Sequence, residues 1–178
     1  MKPYVPGNEP DFCDPDPGND DYRFALGRIG ACTPESPPLV VIGMNPSHAR
    51  QTQSDDTVNH VIEVSKREHS GWLMLNLYPE RSPKPQELSP YDVDLSAANC
   101  DAIEQVLSQL GVAEVLGAWG DMGKSATLKR ARPEVLALLD RMGVRAYTMD
   151  PLTGRKNPRH PHPPGRPLPM LGPKVFLS

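Results

Sequence analysis

The stretch Leu39-Val-Val-Ile-Gly-Met-Asn-Pro-Ser47 decides the fold that this sequence predicts. Its four leading apolar residues lie between prolines and a polar turn, which is typical of a strand buried on both faces of a sheet. Gly43 allows a sharp turn or the close approach of a ligand, and Pro46 favours an extended conformation at Asn45. We therefore expect Asn45 at the carboxyl end of a central strand, where open α/β sheets bind their ligands. The same residue types also form ordinary strand-to-loop turns, so this stretch alone leaves both interpretations open.

Three more apolar segments predict the rest of the sheet. They lie at 72–77, 112–119 and 144–149. Helical spacing of apolar residues predicts helices between the strands, over 57–70, 96–110 and around 134–139. Strands and helices that alternate at this spacing favour a parallel sheet with helices on both faces. We predict an α/β fold, a three-layer sandwich with a central four-stranded parallel sheet, and a short edge strand or helix over 22–28.

The ends of the chain differ from its middle in composition. Residues 1–20 are rich in Pro, Asp and Gly, and many of the 22 prolines lie between 151 and 173. Such segments do not form long helices or central strands. We predict a flexible N-terminal arm over 1–20, a single α/β domain over 21–163 and a proline-rich C-terminal tail over 164–178.

Composition restricts the partners and the compartment. The 178 residues carry a formal net charge of -3, which argues against strong non-specific attraction to nucleic acid over the whole surface. Cys13, Cys32 and Cys100 are scattered, as expected of reduced thiols in a cytoplasmic protein. No apolar run approaches the ~20 residues of a membrane span, and no signal-peptide core is present. We expect a cytoplasmic monomer that does not associate with membranes.

Polar residues follow each predicted strand of the sheet. Asn45 follows the first strand, Asn76 and Tyr78 the second, Trp119 and Lys124 the third, and the segment 155–160 the fourth. Parallel strands bring their carboxyl ends to one edge, so we expect these residues to converge on a binding site there.

Asp55, Asp56 and Thr57 are candidates for the activation of a water molecule or for metal binding, and a simple helix N-cap is the alternative. No His or Cys cluster has metal-ligand spacing, and an Asp pair alone would suit at most Mg²⁺. The segment Gly120–Lys124 lacks the spacing of a nucleotide-binding phosphate loop, although a helix start there could hold one phosphate. We predict no metal and no cofactor.

The segment 155–163 concentrates positive charge near the end of the chain. Arg155, Lys156 and Arg159 accompany His160 and His162, with prolines that keep the chain extended. This pattern suits contact with a phosphate or an anionic intermediate, and a solvated basic tail is the alternative. His48 is a further possible participant because it lies close to Asn45 in the sequence.

Several of these motifs, taken together and in order, resemble an uncharacterised family of bacterial and phage proteins catalogued as a domain of unknown function. The resemblance covers residues 22–161. The motifs that carry it are Arg23, Ile-Gly-Met-Asn-Pro-Ser47, Asp55-Asp-Thr57, Asn76-Leu-Tyr-Pro79, Ala118-Trp-Gly120 and Gly154 with Pro-Arg-His-Pro161. The chain departs from the family after this last motif, where it continues His-Pro in place of Leu-Tyr.

A more distant resemblance is to the uracil-DNA glycosylase superfamily. Gly43-Met-Asn-Pro46 is similar to that superfamily's first motif, and Arg159-His-Pro-His-Pro163 is similar to its late histidine loop. The resemblance implies a uracil-DNA-glycosylase-like sheet, a water molecule oriented by Asn45, and negative charge on a departing base stabilised by His160. It also implies that Asn76 pairs with the Watson–Crick edge of a base. The chain lacks the intercalating loop with a Leu or Arg tip that those enzymes carry.

The sequence thus predicts a glycosylase-like protein that acts on an N-glycosidic bond of a nucleobase in DNA or a nucleotide. The predicted catalytic residues are Asn45, His160, Asp55 and Asp56. The predicted substrate contacts are Gly43, Met44, Pro46, Ser47, Asn76, Tyr78, Arg81, Trp119, Lys124, Arg155 and Arg159. One alternative is a non-catalytic module on the same fold that binds nucleic acid or protein. Another is an enzyme acting on a small nucleotide metabolite, which the acidic net charge fits better than long DNA.

Overall fold

The computed structural model describes residues 1–16, 18–163, 165 and 167–177. The strands within these ranges are β1 (Lys2–Pro3), β2 (Phe12–Asp14), β3 (Ala25–Arg28), β4 (Leu39–Gly43), β5 (Gln53–Ser54), β6 (Trp72–Asn76), β7 (Glu114–Gly117), β8 (Arg145–Thr148) and β9 (Val175–Phe176). The α-helices are α1 (Asp56–Ser65), α2 (Val93–Leu110) and α3 (Ala126–Met142), and a short 3₁₀ turn spans Pro85–Glu87.

The main sheet contains seven strands in the order β2-β3-β6-β4-β7-β8-β9. Strands β6, β4, β7 and β8 pair in parallel, whereas β2, β3 and β9 pair with their neighbours in antiparallel fashion. The predicted four-stranded parallel sheet is therefore corrected to a mixed sheet of seven strands. Strand β3 falls within 22–28, where the sequence predicts a short edge strand or helix, but β2 lies outside it at the edge of the sheet. Strands β2 and β9 have only three and two residues, too few for the alternation of apolar residues that reveals a strand in a sequence.

Strand β4 occupies the centre of the parallel strands, and all five of its residues are buried. Its last residue, Gly43, pairs with Asn76 at the end of β6. Ile42 pairs with Gly117 at the end of β7 on the other side. The carboxyl ends of three neighbouring strands thus lie level with one another.

The core consists of two apolar clusters that use alternate residues of the same strands. Val40 and Ile42 pack with α2 and α3, and Leu39 and Val41 pack with α1. Because successive side chains of a strand point to opposite faces, the two clusters lie on opposite sides of the sheet. Helices therefore cover both faces, which gives three layers.

The helices begin and end at residues that suit helix termini. Asp92 caps α2 and Ser125 caps α3, and both helices end at a glycine in the left-handed conformation, Gly111 and Gly143. Helix α1 is shorter than predicted, since residues beyond Ser65 form turns. Helix α3 is longer than predicted, because Pro133 lies inside it and a proline normally indicates a helix boundary.

The terminal segments make specific contacts with the rest of the chain. Strand β1 pairs with β5 and β2 pairs with β3, and Tyr4 is only 7% exposed with its hydroxyl donating to the Arg50 carbonyl at 2.9 Å. Near the other terminus Met170 is buried and β9 pairs with β8. Part of the predicted tail, at 164, 166 and 178, lies outside the described residues. The boundaries between arm, domain and tail stay predictions.

Within the described ranges, no helix combines the length and apolar character that crossing a bilayer requires. The three cysteines are free thiols.

Candidate functional site

A cavity of about 380 Å³ opens at the carboxyl ends of β4 and β6. Its wall is built from the two strand ends, the start of α1, the loop 82–85, Ala118 after β7, and the loop that carries His160. The cavity lies where the parallel strands end at the same level, which is also where open α/β sheets bind their ligands.

Many of the residues predicted from the sequence line this cavity. They are Gly43, Met44, Asn45, Ser47, Asp55, Asp56, Asn76 and His160. The structure therefore brings together all four predicted catalytic residues and the polar end of β6.

Two predicted aromatic contacts belong to the core instead. Tyr78 is 0% exposed and Trp119 is 2% exposed, and both pack in the cluster that includes α2 and α3. The Tyr78 hydroxyl accepts a hydrogen bond from the Asp92 backbone N–H at 3.1 Å, at the start of α2. Sequence position after a strand does not reveal which face of the sheet a side chain occupies.

The predicted basic contacts also lie outside the cavity lining. Lys124 and Arg155 are exposed, and Arg159 is exposed with its Nε donating to the Pro151 carbonyl at 2.8 Å. Arg81 is half-buried and donates through Nη2 to the Ala49 carbonyl at 2.9 Å. Pro46 is buried beside Asn45 and does not line the cavity.

Asn45 fastens one wall of the cavity. Its Nδ2 donates to the Ser82 carbonyl at 2.8 Å and to the Pro46 carbonyl at 3.0 Å. The loop after β6 is thereby tied to the end of β4, and the amide oxygen is the group that Asn45 retains for a ligand or a water molecule.

Asp55 and Asp56 have different surroundings although they are adjacent. Asp55 caps α1, where its Oδ1 accepts from the Val58 N–H at 2.9 Å and its Oδ2 accepts from the Ala49 N–H at 3.2 Å. The helix-cap interpretation therefore holds for Asp55. Asp56 is exposed at the start of the helix and lines the cavity, and its carboxylate accepts no hydrogen bond from another described residue.

Asn76 places an unpartnered amide at the inner end of the cavity. The residue is 2% exposed, and its Nδ2 is fully buried without a hydrogen-bond partner among the described residues. Its backbone is fixed, because Asn99 of α2 donates to the Asn76 carbonyl at 3.0 Å. A Cβ atom on Gly43 would lie 3.2 Å from the Asn76 Oδ1, so glycine at this position leaves room for the amide.

His160 is held in one tautomer. Its Nδ1 accepts a hydrogen bond from the His162 backbone N–H at 3.1 Å, which leaves the proton of the neutral ring on Nε2. Burial lowers the pKa of His160. The ring is therefore neutral near pH 7 and offers Nε2–H as a donor.

A hydrogen-bond network holds the loop that carries His160. The Asp121 Oδ1 accepts from the Thr153 hydroxyl at 2.6 Å and from the Asn157 Nδ2 at 2.9 Å, and both bonds lower the pKa of Asp121. Arg132 of α3 donates to the Asn157 Oδ1 at 2.7 Å. Asn157, three residues before His160, thus ties this loop to Asp121 in the segment after β7.

The cavity lining also includes residues outside the predicted set of catalytic and substrate-contacting residues. The sequence indicates Arg23 as part of a family motif and His48 and His162 as possible participants, whereas it gives no signal for Ser82. Arg23 is 3% exposed, and burial lowers its pKa to about 10, with the nearby Arg81 guanidinium as a second cause. The sequence signals for Arg23 are its place among the motifs of the family resemblance and a charge immediately before the apolar stretch 24–26.

In the part of the chain that the structure describes, no group of three or more His, Cys, Asp or Glu residues is placed to hold a metal ion. The polar groups of the cavity are instead amides, imidazoles, hydroxyls, one guanidinium and carboxylates.

We expect Asn45→Asp to lower the free energy of unfolding by about 2 kcal/mol, because a carboxylate oxygen would replace the N–H that faces two carbonyl oxygens. Urea unfolding followed by circular dichroism measures this change. Asn45→Ala removes the donor without adding a charge and should cost less. Equal stability of the wild type and Asn45→Asp would contradict the assignment.

We expect NMR spectra of the histidine rings to show His160 protonated on Nε2 above pH 7, with a pKa below the ordinary 6.5. The stability that depends on the neutral His160 ring is therefore fully present above about pH 6.5. It is lost as the pH falls through the lower pKa that His160 has in the folded state. His162→Pro removes the N–H that fixes the tautomer, whereas His162→Ala keeps it. A wild-type signal from a proton on Nδ1 would contradict this geometry.

Residues 23–162 match the family described as "Protein of unknown function (DUF1643)". Searches of the curated proteins and of the solved structures found no match. The matched range runs from Arg23 to His162, and both of these residues line the cavity. Because the match covers most of the 178 residues, the chain belongs to the DUF1643 family.

Proposed function

We propose that this protein is a glycosylase-like hydrolase that cleaves the N-glycosidic bond of a nucleobase in DNA or a nucleotide. One observation carries the proposal: the unpartnered Asn76 amide and the neutral His160 ring line the same cavity. The first of these groups suits recognition of a base, and the second suits its departure.

Recognition of the base falls to Asn76. An amide presents an acceptor and a donor side by side, as the Watson–Crick edge of a base does, and rotation of the amide exchanges the two. A buried polar group without a partner costs about 1–3 kcal/mol, which a complementary ligand regains. The cavity volume of about 380 Å³ lies within the range of small-molecule sites and is large enough for a base.

Stabilisation of the leaving base falls to His160. When the bond between the sugar C1′ and the base nitrogen breaks, its electron pair stays on the base, which becomes an anion. A neutral imidazole can donate Nε2–H to this anion without first giving up a positive charge. The network around Asp121 and Asn157 keeps the ring in place, so little reorganisation is needed during the reaction.

Activation of water falls to Asp56 and Asn45. The oxygen of a water molecule bonds to C1′, and the proton that this water loses goes to a carboxylate. Asp56 is the candidate general base, because the Asp55 carboxylate is already occupied by two backbone N–H groups. The Asn45 oxygen can orient the water, since its amide nitrogen is committed to backbone carbonyls.

The second candidate function is an enzyme acting on a small nucleotide metabolite. It is favoured by the net charge of -3, because DNA binding draws on many phosphate contacts by Lys and Arg.

The test is the release of free base from modified and mismatched duplexes, single strands and nucleotides. We expect release by the wild type, a loss of about 10²–10³-fold in His160→Ala, and a loss of about 10²–10⁴-fold in Asp56→Asn. His69→Ala is the matched control, because His69 is also partly buried but does not line this cavity. It should retain the activity of the wild type.

Two results would contradict the proposal. Binding of DNA or nucleotide without release of base from any substrate would favour a non-catalytic binding module. Absence of both release and binding would restrict the likeness to the uracil-DNA glycosylase superfamily to short sequence motifs.

A further inference from the structure

The guanidinium of Arg23 is almost fully buried in the wall of the cavity. Its side chain is 3% exposed, and Nη1 donates to the Ala49 carbonyl at 2.6 Å. Nε is completely buried and has no hydrogen-bond partner among the described residues. An arginine carries five N–H donors, so most of the donors of Arg23 are unused by the protein.

The positive charge of Arg23 is not matched by a direct ion pair. None of the ion pairs in the described ranges includes it. The carboxylate whose charge favours the protonated Arg23 is that of Asp55, whose two oxygens are occupied by the backbone N–H groups of Val58 and Ala49. Arg81 donates to the same Ala49 carbonyl as Arg23 and adds a second positive charge. This cluster therefore has an excess of positive charge over Asp55.

A buried cation without a carboxylate partner is unfavourable, because it loses the solvation by water that stabilises its charge and gains no ion pair in return. Burial and the Arg81 charge both lower the pKa of Arg23, which shows the direction of this penalty. An anion that enters the cavity would relieve it. The Nη2 group of Arg23, which has no hydrogen-bond partner among the described residues and is not among its fully buried atoms, would then supply charge-assisted hydrogen bonds.

The start of α1 adds to the attraction for an anion. This helix has ten residues, and Thr57 and Val58 of its first turn line the same cavity as Arg23. The positive end of the helix dipole favours negative charge at this position.

Asp56 is the opposing charge in the cavity, and its location limits its effect. It is exposed, so water and salt screen its field, whereas the field of the buried Arg23 is screened much less. An anion is therefore favoured at the inner, Arg23 side of the cavity and disfavoured at the Asp56 rim.

We propose that the ligand of this cavity carries a phosphate or another oxyanion that binds against Arg23. This inference deepens the proposed function, on which it rests for the choice of cavity, by requiring that the substrate be phosphorylated. Free nucleosides and bases would then bind more weakly than nucleotides. A nucleotide and a DNA strand supply the same phosphate chemistry, and the experiment separates them.

The first test uses the wild-type protein with ¹⁵N-labelled arginine. Addition of inorganic phosphate, a nucleoside 5′-monophosphate or a short single-stranded oligonucleotide should shift the Arg23 Nε–H signal, and equal ionic strength of chloride should not. The Arg67 signal is the control, because Arg67 donates to the Pro169 and Met170 carbonyls and does not line this cavity. A response to the monophosphate alone identifies a small nucleotide, and a response to the oligonucleotide identifies DNA. No shift at Arg23 with any of the three would overturn the inference.

The second test compares Arg23→Gln with Arg67→Gln. Calorimetry should show that Arg23→Gln binds inorganic phosphate at least tenfold more weakly, while Arg67→Gln binds it as the wild type does. A folded Arg23→Gln protein with unchanged phosphate affinity would overturn the inference. If Arg23→Gln does not fold, the wild-type NMR titration decides alone.

The outcomes separate this inference from the proposed function. A phosphate response at Arg23 without base release from any substrate would support the oxyanion site and contradict the glycosylase. Base release together with no response at Arg23 would overturn the oxyanion site and leave the glycosylase in place.

Discussion

The parallel pairing of β4 with β6 and β7 is the constraint on which the site depends. It sets Gly43 opposite Asn76 and Ile42 opposite Gly117, so three strands end at the same level. The chain leaves the sheet there in three separate loops that surround one cavity. A register shift of one residue in β4 would move its buried side chains to the wrong face, so the core protects this geometry.

The loops around the cavity are fastened by polar contacts between segments distant in sequence. Asn45 holds the loop at Ser82, and Asp121 holds the loop that leads to His160 through Thr153 and Asn157. Asn45 and Asp121 have polar side chains of types that often take part in catalysis, but here these bonds serve to hold the loops in place. Among the described residues, the groups left for a ligand include the amide of Asn76, the amide oxygen of Asn45, the Nε2–H of His160, the carboxylate of Asp56 and unused donors of Arg23. These free groups define what the cavity can bind.

The sequence predicted the central strand β4 better than the short outer strands and the side chains around the cavity. Strand β4 was predictable because a continuous apolar run has one structural meaning when prolines and a turn enclose it. The short strands β2 and β9 were not, since β2 lies in a segment rich in proline and acidic residues and β9 follows a proline-rich segment. The sequence indicates Arg23 as part of a family motif, but its place in the cavity depends on burial, which comes from packing by distant parts of the chain. Trp119 was assigned to the site because its position after a strand was visible, whereas the face it occupies was not.

A crystal structure with a bound nucleoside 5′-monophosphate would test the proposed recognition of a base by Asn76. We expect the base edge within hydrogen-bond distance of the Asn76 amide and of the His160 Nε2. A nucleotide bound at another surface, with the Asn76 amide still unpartnered, would contradict it.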